Sequence, residues 1–341
     1  MQNKLTEGLL LNEKGYLNEA GYATSLVKKY SRDQIKASKL RIKEWDYYLI
    51  HNENYAVALT IADNGYMGLL SASFIDFTKP KEKTTSVMTL LPKGKFELPN
   101  TSKEGSVEIK HKKIYIEFFN NGEKRVLNLT FKKFDKNKTF KCHFILTKEP
   151  EDSMVIATPF PKKKTAFYYN QKIIGMQAKG WAEIGDQKIE FEEANALLDW
   201  GRGVWTYKNT WYWGAGMGNI DGNKFGFNIG YGFGDTSNAS ENMLFFNGKA
   251  HKLDQVTFNI PKTKKGKDDF LKPWTFTSND NRFEMEFTPI INRKSFTSAL
   301  VISSDQNHVF GRFNGTAVLD DGTKIVIKNF LGFAEKVKNK W

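Results

Sequence analysis

Residues 199–242 carry Asp-Trp-Gly-Arg-Gly-Val-Trp-Thr-Tyr-Lys-Asn-Thr-Trp-Tyr-Trp-Gly-Ala-Gly-Met-Gly, then Phe-Gly-Phe-Asn-Ile-Gly-Tyr-Gly-Phe-Gly-Asp and Ser-Glu-Asn. Glycine inside a strand forfeits backbone entropy and packs nothing, so a segment this rich in it needs tight curvature or close backbone approach. With Trp200, Trp205, Trp211 and Trp213 in the same block, the segment predicts the inside of a strongly curved sheet. Such a surface suits a small apolar or amphipathic molecule, oriented by a few isolated polar groups.

The 341 residues, 40% hydrophobic and 14% aromatic, exceed one ordinary core and fit two domains. The 27 Phe and 13 Tyr favour strands. One cysteine, Cys142, excludes an internal disulfide. No apolar run reaches membrane-spanning length, and no leader is recognised, so the expected location is cytoplasmic. The net charge of +13 raises the question of nucleic acid, but only seven of the 51 basic residues are Arg. Phosphate and base-edge recognition leans on the guanidinium fork, whereas lysine is the common solubilising cation. Nucleic acid is therefore disfavoured. The runs Lys162–Lys164 and Lys262 to Lys267 lie in loop-like contexts and leave open a lysine-rich scaffold for acidic partners or peripheral membrane contact.

Along the chain, two apolar runs around Gly15 predict an N-terminal hairpin. Ser31 and Asp33 before Ile35, Leu40 and Ile42 predict one short helix. From Trp45 onward, short apolar segments broken every eight to twelve residues by Gly, Asn or Pro predict antiparallel strands throughout. A change of texture at residues 150–164 suggests a boundary, giving units 1–160 and 161–341. A loose repeat, Trp45 to Phe77 against Trp211 to Asp235, fits two similar barrels, whose closure would remove exposed edges.

Asp199 is the first candidate for an acid and Glu241 the second, because a carboxyl in a dry aromatic cavity has its pKa raised and can donate a proton. Asp199 and Arg202 either pair at the cavity mouth or act structurally. Arg202, Trp205, Trp211, Trp213, Asn228, Asn242 and Arg293 are the candidate ligand contacts, with Arg293 and Arg312 able to fix an anionic headgroup. The tryptophans are first of all core, since aromatics dominate burial whether or not a ligand exists, and Asn228, Glu241 and Asn242 serve equally as partners for buried backbone. Strand parity puts Tyr212 on the face opposite Trp211 and Trp213. Glu335 is a further isolated charge in an apolar strand. The triplets Gly214-x-Gly216-x-Gly218 and Gly230-x-Gly232-x-Gly234 precede no helix, so they are not dinucleotide loops. The five histidines show no metal spacing, and neither a metal nor a cofactor is expected.

The chain resembles the family called domain of unknown function 2804. The resemblance rests on Leu11-Asn12-Glu13-Lys14-Gly15-Tyr16, Trp45-Asp46-Tyr47-Tyr48, Asp199 to Trp205, Trp211-Tyr212-Trp213-Gly214, Asn228 to Asp235, Glu241-Asn242, Pro273-Trp274 and Gly332-Phe333-Ala334-Glu335. That family is similar to tandem lipocalin-like barrels such as carotenoid hydratases and some pericyclases. The resemblance implies an all-β chain of two lipocalin-like antiparallel β-barrels in tandem, each enclosing an apolar cavity. Two activities are open: binding of a small apolar or amphipathic ligand, or hydration or isomerisation of an unsaturated lipid or isoprenoid by acid chemistry.

Overall fold

In the computed structural model, which describes residues 2–299 and 302–340, the chain is all-β. Four strands, Ile42–His51, Tyr55–Asp63, Met67–Asp76 and Lys81–Leu90, run outward as an antiparallel meander. Six more, Gly105–His111, Ile114–Asn120, Arg125–Asp135, Lys138–Thr147, Phe167–Ile184 and Gln187–Val204, return, and the last pairs with the first. Met154–Pro159 and Gly21–Ala23 complete this larger sheet. A second meander repeats the plan. Lys208–Ile220, Asn223–Tyr231, Met243–Phe246 and Lys249–Lys252 run outward; Val256–Asn259, Trp274–Ser278, Phe283–Ala299, Ile302–Val318 and Lys324–Lys340 return, and again last pairs with first.

In both sheets the two edge strands are the fourth and fifth of the meander, and neither edge pair is hydrogen-bonded. Only residues 253–255 separate the edges of the smaller sheet, a link that spans no more than about 14 Å. The sheet must therefore curl until its edges approach. Closed tandem barrels are thus corrected to two curled sheets, each open along one seam. The weak sequence repeat has a counterpart here: Trp45 and Trp211 lie on the first strands of the two meanders.

The expected N-terminal helix is not found; residues 31–42 form only two 3₁₀ turns, Arg32–Gln34 and Lys39–Arg41. Ser31 makes no side-chain cap, and Ile35 is already extended at φ −74°, ψ 120°. Tyr30 donates to Glu44 at 2.6 Å and Arg32 pairs with the same carboxylate, so the side chains serve the adjoining strand rather than a helical face. The Gly15 hairpin is present, with Leu11 bridged antiparallel to Leu17. The proline-rich stretch at 159–164 is a turn between the paired strands Met154–Pro159 and Phe167–Ile184, where Phe160 N donates to Ala166 O. The expected division at residue 160 therefore runs through the larger sheet, and the chain passes to the smaller one at residues 205–207. Among the described residues no helix is long and apolar enough to cross a membrane.

Strand parity sorts the side chains. Trp200, Arg202, Asp46 and Tyr48 point into the larger sheet's concave side, where Arg202 stacks on Trp200 at 4.2 Å. Phe227, Trp274, Phe276, Phe287 and Phe313 fill the smaller sheet as a separate core. Tyr212 belongs with that core, stacked 4.5 Å from Tyr231, whereas Trp211 and Trp213 face the larger sheet, as alternation requires.

Candidate functional site between the two sheets

Two rows of directly opposed residues meet where the sheets pack. On the larger sheet, Tyr47, Asp199 and Lys172 stand side by side on three neighbouring strands. On the smaller, Arg293, His308, Glu335, Trp213 and Gly230 do so on five. Facing contacts join the rows: the Tyr47 and Trp213 rings are 6.0 Å apart, and Lys172 Nζ lies 4.0 Å from the Trp213 ring centre.

Asp199 is committed to structure at this junction. Its Oδ1 is 2.9 Å from Lys172 Nζ and accepts from Asn170 Nδ2 at 2.6 Å. A lysine this buried needs such a partner, and the Trp213 face adds a second. The anticipated Asp199–Arg202 pair does not form, because residues three apart on a strand point to opposite faces. Arg202 instead donates to Asp46 Oδ1 at 2.9 Å, to the carbonyls of Trp45 and Gly201, and to Pro99 O at 2.7 Å. It is a strut inside the larger sheet.

Glu241 lies in the loop after Asn223–Tyr231, fully buried, and neither carboxylate oxygen has a hydrogen-bond partner. Burial pushes its pKa up to about 7; Lys172 opposes the shift, Asp199 adds to it, and the Asn228 amide, bonded to the Glu241 backbone carbonyl rather than to the carboxylate, opposes it from close by. Gly230 makes room for it: a Cβ there would come within 2.3 Å of Glu241 Oε1. Asn228 and Asn242 hold the loop, one of the two roles open to them from sequence. Asn228 Nδ2 donates to Glu241 O at 2.8 Å while its Oδ1 accepts from Trp213 Nε1 at 2.7 Å, and Asn242 Oδ1 accepts from Gly230 N at 2.7 Å.

A second titratable pair lies in the same row. Glu335 Oε2 is 2.8 Å from His308 Nδ1, and Glu335 Oε1 accepts from Trp211 Nε1 at 3.0 Å. Burial lowers the His308 pKa to about 4, and Arg293 adds to that, outweighing Glu335. Burial alone would raise the Glu335 pKa, but the hydrogen bonds from His308 and Trp211 bring it below its usual value. Together these describe a neutral imidazole donating from Nδ1 to an ionised carboxylate. Its Nε2 is left buried without a partner.

The aromatic groups close one end. Trp205 is ringed by Trp45, Tyr168, Phe160, Trp211 and Phe233, with ring centres 5.3 to 6.0 Å away. Of the residues singled out in the sequence, Asp199, Glu241, Trp205, Trp211, Trp213, Asn228, Asn242 and Arg293 come together at the junction; Arg202 does not. Arg293 is half-buried at the row's end, donating to Ser73 Oγ at 3.1 Å, and Arg312 is drawn away to Glu53 and the carbonyl of Asn329. Tyr47, Tyr168, Asn170, Lys172 and His308 were not anticipated. The alternation Tyr168-x-Asn170-x-Lys172 at the start of the strand Phe167–Ile184 was the available signal.

Residues 2–341 match the family described as Domain of unknown function (DUF2804). The chain belongs to that family. No curated protein matches its sequence. Among solved structures, an AttH-like protein from Nitrosomonas europaea is similar with 11% identity and a TM-score of 0.54, over 90% of this chain and 95% of its own. Kievitone hydratase from Nectria haematococca is similar with 11% identity and a TM-score of 0.53, over 98% of each chain. At such identities the likeness concerns the fold, which transfers function poorly.

Proposed function

We propose that this DUF2804 protein is a tandem of two lipocalin-like units, each built on one curled sheet, that takes a small unsaturated amphipathic molecule between them. There it acts by acid chemistry, hydration or isomerisation, with Glu241 as the proton donor. The observation that carries this reading is the Glu241 carboxyl, fully buried beside Lys172 and Asp199 with neither oxygen hydrogen-bonded, where burial pushes its pKa up to about 7. A carboxyl whose pKa is raised toward working pH is a competent general acid.

In hydration, the Glu241 proton passes to one carbon of a double bond, and water adds to the cation at the other. The proton that water loses goes to His308 Nε2 or back to Glu241. In isomerisation a neighbouring C–H bond gives up that proton instead. The Trp213 ring, which already faces the Lys172 ammonium at 4.0 Å, is a wall suited to positive charge. Asp199 is taken up by Lys172 and Asn170, so the acid role falls to Glu241, reversing the order expected from sequence. The hydratase among the structures of similar fold is consistent with this chemistry.

The test begins with native mass spectrometry of the protein from its own cells and extraction of the bound molecule. That molecule is then incubated with protein in D₂O. Deuterium incorporation that disappears in Glu241→Gln but survives in Asp199→Asn is the expected result. A retained ligand that takes up no deuterium makes the protein a carrier, and incorporation undiminished in Glu241→Gln removes Glu241 from the chemistry.

A further inference from the structure

Phe233 is the one fully buried side chain between residues 231 and 238; its neighbours are half-buried or exposed loop residues. Its ring lies in a box: 4.8 Å from Tyr168 and stacked at 14°, 5.7 Å from Trp211, and 6.0 Å from Trp205 edge-on. Lys172 Nζ, the ammonium paired with Asp199, is 5.9 Å from the ring centre. The backbone on either side is left-handed, Gly232 at φ +96° and Gly234 at φ +78°, conformations that L side chains rarely adopt. A Gly-Phe-Gly kink therefore aims one ring out of an irregular loop into a cage built by both sheets. At the kink itself Asp235 N donates to Pro159 O at 2.8 Å and Thr158 Oγ1 donates to Phe233 O, while the far end of the loop is tied by Asn3 N to Asn238 O at 2.7 Å and by Ser240 N to Gln2 Oε1 at 2.8 Å. Eight residues further along the same loop stands Glu241.

We propose that Phe233 is an internal stand-in for a planar ring of the substrate, aromatic or conjugated, and that the Tyr168–Trp205–Trp211 box is the subsite that receives this ring when the loop withdraws. The inference rests on the reading of the junction as a small-molecule site and adds the class of molecule. A flat ring gains offset and edge-on contacts from all three walls. Withdrawal of one side chain empties the box, while Glu241, held by Asn228 and its neighbours at the far end of the loop, stays in place. Ligand and Phe233 compete for one seat, so apparent affinity is reduced by the closed fraction.

The probe is 2-naphthol, a planar aromatic molecule with one polar group, titrated by NMR and tryptophan fluorescence. Wild-type protein should bind it weakly, with shifts at the Phe233 ring. Phe233→Ala should bind about tenfold more tightly, and Phe233→Trp should not bind. Phe227→Ala, which removes the same ring from the smaller sheet's own core, should bind no better than wild type. Should Phe233→Ala fail to fold, Thr158→Val keeps every ring and loosens one pin, and severalfold tighter binding is expected. Equal affinity in Phe233→Ala and Phe227→Ala, or no gain in Thr158→Val, makes Phe233 ordinary core and overturns the proposal. The subsite and the acid fail separately: naphthol binding intact in Glu241→Gln, with deuterium exchange unaffected there, keeps the box and discards the acid. Exchange lost in Glu241→Gln without naphthol binding does the reverse.

Discussion

The core inside the smaller sheet and the layer between the two sheets are equally buried and equally aromatic, yet they are built for different ends. Around Trp274, the core is Phe276, Phe287 and Phe313, ring against ring, and the one polar atom of Trp274, Nε1, is satisfied by Phe270 O at 3.2 Å. Around Trp213 the neighbours are Lys172, Asp199, Glu241, Glu335 and His308, several with unsatisfied atoms. Burying charge and leaving oxygens unpaired is unfavourable, so the junction gives up stability that the core keeps. The sites of such loss are where function is best sought.

The comparison breaks first at the two tryptophans. Trp274→Ala and Trp213→Ala should each destabilise by about 3–5 kcal/mol in urea unfolding, the usual range for a large buried ring. Only Trp213→Ala should empty the protein of its co-purifying ligand. A ligand lost from Trp274→Ala and retained by Trp213→Ala would move the binding site into the smaller sheet.

The buried ion pair comes next. Lys172→Met leaves Asp199 with Asn170 alone and should cost about 3–5 kcal/mol, because an uncompensated buried charge remains. Lys172→Met with Asp199→Leu should recover most of that loss. A double variant as unstable as the single one would show that packing, not charge, governs this part of the junction.

Two opposed pH windows sharpen the contrast, since the fully buried residues of the smaller core carry no acid or base. The Glu241 pKa is raised from 4.5 to about 7, so its contribution is full below pH 4.5 and is lost as pH rises through 7. The His308 pKa is lowered from 6.5 to about 4, so its contribution is full above pH 6.5 and is lost as pH falls through 4. Each window amounts to about 3 kcal/mol at the usual 1.36 kcal/mol per unit. Glu241→Gln should flatten the upper slope of stability against pH, and His308→Gln the lower. A slope unchanged by its substitution would mean that the group titrates normally.

Much of this was legible from alternation and composition. Period-two patterning and turn residues give the strands, and parity alone separates Tyr212 from Trp213. Applied to Asp199 and Arg202, the same parity excludes their pairing, because three positions is an odd step. What the chain could not display was register. That Arg293, His308, Glu335 and Trp213 form one row depends on strand pairings between residues as far apart as Trp213 and Glu335. Composition also misplaced the glycine-aromatic block: half of it faces the larger sheet, because an antiparallel strand presents every second residue to each side. The N-terminal helix failed for want of a continuous apolar face.

The smallest effect separates the two arginines read as headgroup anchors. Arg312 reaches Glu53 at 2.6 Å, but the Glu53 side chain is 76% exposed, and such surface pairs contribute less than about 1 kcal/mol. Arg312→Gln should therefore change neither unfolding nor ligand retention beyond that limit. Arg293 ends the buried row beside His308 and depresses its pKa, so Arg293→Gln should raise the His308 titration measured by NMR and weaken retention of any anionic ligand. The two substitutions remove the same charge from the same protein, and net charge alone predicts equal outcomes. A difference confined to Arg293 locates the effect in the junction, whereas equal responses would return the arginines to the status of general surface charge.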